Sequence, residues 1–195
     1  MRIRISQLYA LVLVLLIMLS GNYWEQTAPL VNAFLFLIGM VLAGIGSMGR
    51  LWCTLYIAGY KENTLITAGP YSMTRNPLYF FSLIGALGVG FATETFIIPL
   101  LILIGFALYY PSVIKSEELR LRELHKGAFD EYVSKVPRFF PRVENFSEPE
   151  DYVIKPVLFR KNIFDALWFI WLIGILEVIE TLHDVHILPS LIDLF

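Results

Sequence analysis

The chain has 195 residues, 57% of them apolar and only 16% charged, with a mean hydropathy of +0.66 and a formal charge of −2. That balance excludes an ordinary soluble domain and reads as a polytopic membrane protein. The length suits one helical bundle with a modest polar face, so a single domain over residues 1–195 is expected.

In chain order, residues 5–20 form the first apolar run, preceded by Arg2 and Arg4. No small-x-small cleavage site follows before Gly21-Asn22-Tyr23-Trp24, so the run is read as a retained span and not as a signal peptide. Residues 30–48 and 163–179 are each near the roughly 20 apolar residues that cross a bilayer core. Between them, residues 78–92 and 96–114 are separated only by Thr93-Glu94-Thr95, which predicts a tight helical hairpin with a short or tilted first arm. The expected fold class is all-α, a polytopic membrane helical bundle of about five transmembrane helices.

Basic residues concentrate on the cytoplasmic side of short membrane loops. With an inside amino terminus, all 15 Lys and Arg fall on one side, including ten between Lys115 and Lys161. The other side holds Glu25, Glu94, Glu180 and Asp184. The chain is therefore expected to be a multi-pass protein with its amino terminus and polar pocket in the cytoplasm. The basic face serves as a topology signal that also attracts anionic headgroups, and no nucleic-acid partner is expected.

Several features carry no chemistry at this level. Cys53 is alone and reads as a buried, inert thiol. His183 and His186 form a His-x-x-His pair with only Asp184 nearby, which reads as an interfacial polar patch, so no metal is assigned. Gly44-Ile45-Gly46-Ser47-Met48-Gly49 matches G-x-G-x-x-G, yet it ends an apolar span instead of joining a strand to a helix. Gly39, Ala43 and Gly46 recur at helical spacing and suit close helix packing, as do Gly85, Gly88 and Gly90. Such packing serves equally within one chain or between chains, so the oligomeric state is not readable.

The polar connections are denser in information. Thr67-Ala68-Gly69-Pro70-Tyr71 reads as a turn before a helix, stiffened by Pro70. Asn76 and Pro77 suit the start of the next helix, whose free amides and partial positive charge near Arg75 form a cradle for a carboxylate, although composition alone favours Arg75 as a headgroup anchor and Tyr79 as an interfacial belt residue. Lys115 to Leu124 alternates Leu with charge, as an amphipathic helix leaving the membrane would, and places Glu117-Glu118 at the apolar boundary. There either one carboxylate faces inward toward a cationic ligand or both form a solvated acidic face paired with nearby Arg and Lys. Val136-Pro137-Arg138-Phe139-Phe140-Pro141 should be a rigid extended segment whose aromatics either face a cation or dip into the membrane interface.

Gly69-Pro70-Tyr71, Arg75-Asn76-Pro77-Leu78-Tyr79, Glu117-Glu118, and Phe129-Asp130-Glu131-Tyr132 leading to Val136-Pro137 occur in an order that resembles the isoprenylcysteine carboxyl methyltransferase and phospholipid methyltransferase family. The resemblance covers about half the chain, with a catalytic region near residues 61–142. It implies an enzyme that uses S-adenosylmethionine, releases S-adenosylhomocysteine and methylates a lipophilic or prenylated acceptor among membrane lipids. Carried over residue by residue, cofactor contacts fall on Asn63, Thr64, Leu65, Ile66, Tyr71, Asn76, Pro77, Leu78, Tyr79, Glu117, Glu118, Arg138 and Phe139, and catalytic roles on Arg75, Tyr79 and Glu117. Compact size suggests a prokaryotic member.

Two positions depart from the family's pattern. Asn76 replaces the usual histidine, which removes a titratable group. Val113 stands where the prenylcysteine enzymes carry a substrate-holding arginine, leaving Lys115 or Arg75 to supply that charge. The implied reaction favours the α-carboxylate of an isoprenylated cysteine; alternatives are a phospholipid amine acceptor, a membrane reductase using a nicotinamide cofactor, or a noncatalytic membrane scaffold.

Overall fold

A backbone surrounded by lipid must satisfy its own hydrogen bonds, so long apolar runs become helices. The computed structural model bears this out and describes residues 2–21, 28–60, 64–188 and 192–193. The described helices, in chain order, are α1 (Arg2–Leu19), α2 (Pro29–Ile57), α3 (Pro70–Met73), α4 (Pro77–Phe91), α5 (Ile97–His125), α6 (Gly127–Lys135) and α7 (Pro156–Asp184). Beyond a 3-10 turn at Val143–Asn145, the other regular structure described is a two-residue parallel pairing of Ser20–Gly21 with Ile192–Asp193. The fold is an all-helical membrane bundle. Among the described residues α2, α5 and α7 are long and apolar enough to cross a membrane, and α4 is a shorter apolar helix.

The expected hairpin is α4 followed by α5. Its turn places Glu94 at φ 58°, and Thr95 accepts the Ile97 amide at 2.9 Å. The amphipathic stretch around Glu117 is no separate element but the last turns of the continuous α5.

The chain divides into two compact units, one of Met1–Gly44, Ile84–Tyr109 and Phe169–Phe195, the other of Ile45–Leu83 and Tyr110–Trp168. The first is cored by Ala43, Val89, Ala92, Phe169 and Ile173. Here α2 and α4 touch backbone to backbone. A Cβ on Gly39 would lie 2.5 Å from the Ala92 nitrogen, and one on Gly88 would lie 2.4 Å from the Ala43 nitrogen. Small residues at helical spacing allow that approach. The G-x-G-x-x-G stretch lies wholly inside α2. In the same unit His183 Nε2 lies 3.1 Å from the Met18 carbonyl, a local contact at the end of α7.

The second unit holds every Lys and Arg except Arg2 and Arg4. Its residues 147–155 strap across the end of α2. Ser147 accepts from the Gly69 amide at 2.8 Å, the Tyr152 hydroxyl donates to the Tyr56 carbonyl at 2.8 Å, and Lys155 Nζ donates to the Gly59 carbonyl at 2.7 Å. The Tyr56 hydroxyl donates to Glu148. This unit carries the candidate site.

Candidate functional site

Gly69 sets the first corner. Its φ of 59° is open to glycine, and a Cβ there would sit 2.4 Å from the Tyr56 ring. The chain thereby turns directly into α3, where Pro70 fills the first position. Ser72 Oγ donates to the Gly69 carbonyl at 2.7 Å and accepts from the Ser147 amide at 2.9 Å. The Tyr132 hydroxyl of α6 donates to the Tyr71 carbonyl at 2.7 Å. Short, mutually hydrogen-bonded pieces thus hold the start of the arginine motif.

The next corner is built across the chain. The amide of Arg75 donates to the Pro137 carbonyl at 2.9 Å, and that of Arg142 to the Met73 carbonyl at 3.0 Å. Thr74, fully buried, gives its hydroxyl to the Phe139 carbonyl at 3.0 Å. Asn76 Nδ2 donates to the Arg138 carbonyl at 2.9 Å and to Glu118 Oε1 at 3.3 Å. As expected, residues 136–142 are neither helix nor strand. The expected extended run is instead bent at residues 136 and 138–140, because its carbonyls are committed to Thr74, Arg75 and Asn76 and its two prolines keep it out of regular structure.

Glu117 and Glu118 are adjacent on α5, but successive helical side chains diverge by about 100°. Glu117 accepts from the Tyr79 hydroxyl at 2.8 Å. Glu118 instead lies between two guanidinium groups, with Arg75 Nη1 at 3.4 Å and Arg138 Nε at 3.1 Å. Its side chain and that of Arg75 are largely buried, whereas Arg138 is half-exposed.

These elements enclose a cavity of about 670 Å³ including its open mouth. It is lined by Ile57, the connection Thr64-Leu65-Ile66, Tyr71, the run Arg75 to Tyr79, and Glu117, Leu121 and Tyr132. Its wall is mostly apolar, through Ile57, Leu65, Ile66, Leu78 and Leu121, with a smaller polar share from Tyr71, Arg75, Asn76, Tyr79, Glu117 and Tyr132. Burial raises the Tyr71 and Tyr132 phenols well above their usual range, so both are neutral donors at physiological pH. Two donors remain unused. Arg75 Nε is buried without a hydrogen-bond partner, and the Tyr71 hydroxyl has none among the described residues.

Of the residues singled out by sequence, Thr64, Leu65, Ile66, Tyr71, Arg75, Asn76, Pro77, Leu78, Tyr79 and Glu117 meet in this one cavity. Asn63 lies outside the described residues. Glu118, Arg138 and Phe139 stand behind the lining, the first two in the ion-pair cluster and Phe139 against Phe80 at 5.9 Å between ring centres. Arg75 lines the cavity and Lys115 is exposed outside it, so Arg75 is the cation at hand where Val113 leaves none. Ile57, Leu121 and Tyr132 are lining residues that the motif reading did not select. Leu121 sits one helical turn after Glu117, a signal that spacing offers; Tyr132 belongs to the aromatic approach to Val136-Pro137; Ile57 has no local signature.

The family profile for phospholipid methyltransferase matches residues 29–127. The chain belongs to that family. The matched stretch carries the arginine motif and Glu117, and ends before Tyr132 and Pro137. The cobalt-zinc-cadmium resistance protein CzcN of Cupriavidus metallidurans is 35% identical over 178 residues, covering 91% of this chain and 81% of the relative. The nickel-cobalt-cadmium resistance protein NccN of Alcaligenes xylosoxydans xylosoxydans is 36% identical over 169 residues, covering 87% and 78% respectively. No solved structure matches the chain. The chain is a member of a membrane methyltransferase family whose polar motifs converge on a single described cavity.

Proposed function

We propose that this methyltransferase takes its methyl group from S-adenosylmethionine and places it on a lipophilic acceptor at the membrane interface. The α-carboxylate of an isoprenylated cysteine is the favoured acceptor, and a phospholipid amine is the second reading. The observation that carries the proposal is the Tyr79–Glu117 hydrogen bond at 2.8 Å on the wall of a cavity also lined by Arg75.

The residues present fit such a cofactor. Its methionine end bears a carboxylate and an ammonium, and the wall offers the orphaned Arg75 Nε, the unused Tyr71 hydroxyl and the Glu117 carboxylate. When bound, S-adenosylmethionine supplies an electrophilic methyl on a positively charged sulfur. Arg75 and the first turn of α4 would hold the carboxylate, with Thr64 to Ile66, Tyr71 and Asn76 to Tyr79 shaping the pocket. Glu117, oriented by Tyr79, would complement positive charge. Glu118, Arg138 and Phe139 would hold this wall in place. Leu65, Ile66, Leu78 and Leu121 would exclude water from the reacting centre.

An acceptor carboxylate with a pKa near 3.5 is already ionised at neutral pH, so alignment and a dry site suffice. An amine acceptor must lose a proton, and the Glu117 carboxylate, held by Tyr79 at the cavity wall, could take it. We further propose that residues 1–195 work as one domain with amino terminus and cavity on the cytoplasmic side, as the one-sided Lys and Arg distribution supports. By analogy with the named relatives, the biological setting would be metal resistance. The described residues contain no group of three or more His, Cys, Asp or Glu able to hold a metal ion. Methylation of a membrane component is the form that role would take.

The test is calorimetric binding of S-adenosylhomocysteine to purified protein, wild type against Glu117→Ala and Tyr79→Ala. Binding that weakens in both variants supports the site and justifies screening prenylcysteine against aminolipid acceptors. Folded wild type that binds neither this product nor S-adenosylmethionine overturns the reading, and retention of a reduced nicotinamide would favour a reductase.

A further inference from the structure

The segment that closes the back of the cavity has its main chain turned inward and its apolar side chains turned out. Pro137, Arg138 and Phe139 give their carbonyls to Arg75, Asn76 and Thr74, and the Arg142 amide goes to Met73. With the backbone committed, Phe140 and Val143 are left 76% and 77% exposed. Comparable exposure of large apolar side chains occurs at Leu30, Met48, Leu108 and Phe164, all on α2, α5 and α7, the helices suited to crossing a membrane. It also occurs at Val153, shortly before α7 begins.

A chain of aromatic rings joins this segment to an apolar helix. Phe81 and Phe80 of α4, then Phe139 and Phe140, follow one another at centroid separations of 5.4, 5.9 and 5.4 Å. Phe140 is thus the outer end of a stack rooted in the first turns of α4. Arg138 and Arg142 flank it. Arg142 is exposed and has no carboxylate partner among the described residues.

We propose that residues 138–143 form a membrane-interface anchor, with Phe140 and Val143 in the headgroup–acyl boundary of the bilayer that holds the long helices. Aromatic and aliphatic groups flanked by arginine suit that boundary, because the apolar parts leave water while the guanidinium groups reach lipid phosphates. The carbonyls that hold Asn76 and Thr74 belong to the anchor itself, and the Pro137 carbonyl that holds the Arg75 amide directly precedes it. Contact with lipid therefore fixes the cavity's rim at the depth of the headgroups. The anchor does not depend on the chemistry performed in the cavity.

Depth-dependent quenching tests it. Val143→Cys and, separately, Phe140→Cys are labelled with nitrobenzoxadiazole, the native Cys53 being wholly buried, and the unsubstituted protein serves as the labelling control. The proteins are reconstituted into vesicles of phosphatidylcholine and phosphatidylglycerol containing a shallow doxyl lipid. Ser134→Cys, on the exposed side of α6, reports water. Quenching at positions 140 and 143 should exceed that at 134 several-fold, and Arg142→Glu should reduce it. Equal quenching at all three positions overturns the anchor. So does a blue-shifted but unquenched label at 140 and 143, which would mean that protein, such as a second copy of the chain, covers the patch.

Discussion

The Tyr79 hydroxyl donates to Glu117 at 2.8 Å across the cavity wall, while the neighbouring Glu118 is engaged by Arg75 and Arg138. Adjacent carboxylates on one helix thus have separate tasks. Glu117→Gln preserves a hydrogen-bond acceptor and removes the charge; Tyr79→Phe removes the donor and keeps the carboxylate. Charge-assisted hydrogen bonds contribute about 1.5–3 kcal/mol. Product binding measured by calorimetry should therefore weaken about 10-fold or more in Glu117→Gln, and less in Tyr79→Phe. Equal product affinity for wild type and Glu117→Gln would exclude a charge role toward the ammonium that product and cofactor share.

Glu118→Ala should act on stability more than on ligand contact. It leaves the largely buried Arg75 guanidinium without its carboxylate, whereas the half-exposed Arg138 loses little. Between the limits for exposed and buried pairs, a cost of about 2 kcal/mol is expected. Thermal unfolding in detergent should show a lowered Tm with residual product binding in the cold. An unchanged Tm together with abolished binding would put Glu118 in direct contact with ligand.

Glycine substitutions should separate by environment. Gly69→Ala forces a side chain into φ 59° and against the Tyr56 ring, which combines backbone strain with overpacking at about 3 kcal/mol. Gly44→Ala meets nothing within 4 Å inside α2 and should stabilise by about 0.5–1 kcal/mol. Denaturation curves of the two variants should move in opposite directions.

Tyr71 and Tyr132 have phenols raised by burial, so the folded state retains protons that the unfolded chain releases. Stability from this source is fully present below about pH 10, the unfolded phenol value, and is lost as pH rises through the folded values. Ultraviolet absorbance titration should find these phenols silent until the protein unfolds at alkaline pH. Tyr132→Phe should flatten the alkaline loss while costing about 1 kcal/mol at neutral pH through the bond to the Tyr71 carbonyl.

Composition and apolar periodicity alone determined the helical membrane class, the hairpin around Thr93-Glu94-Thr95 and the helix start at Pro77, because these depend on local hydropathy and backbone chemistry. Resemblance of the motifs' order to that of the methyltransferase family singled out Arg75, Tyr79 and Glu117. Only tertiary structure decided that Glu117 faces the cavity and Glu118 the arginines, since a 100° step on a helix acquires meaning from what packs beside it. It also placed Tyr132 and Ile57 on the lining and Phe139 behind it. Those assignments depend on hydrogen bonds linking residues 38 to 62 positions apart, from Tyr79–Glu117 to Asn76 and the Arg138 carbonyl, which no local pattern encodes.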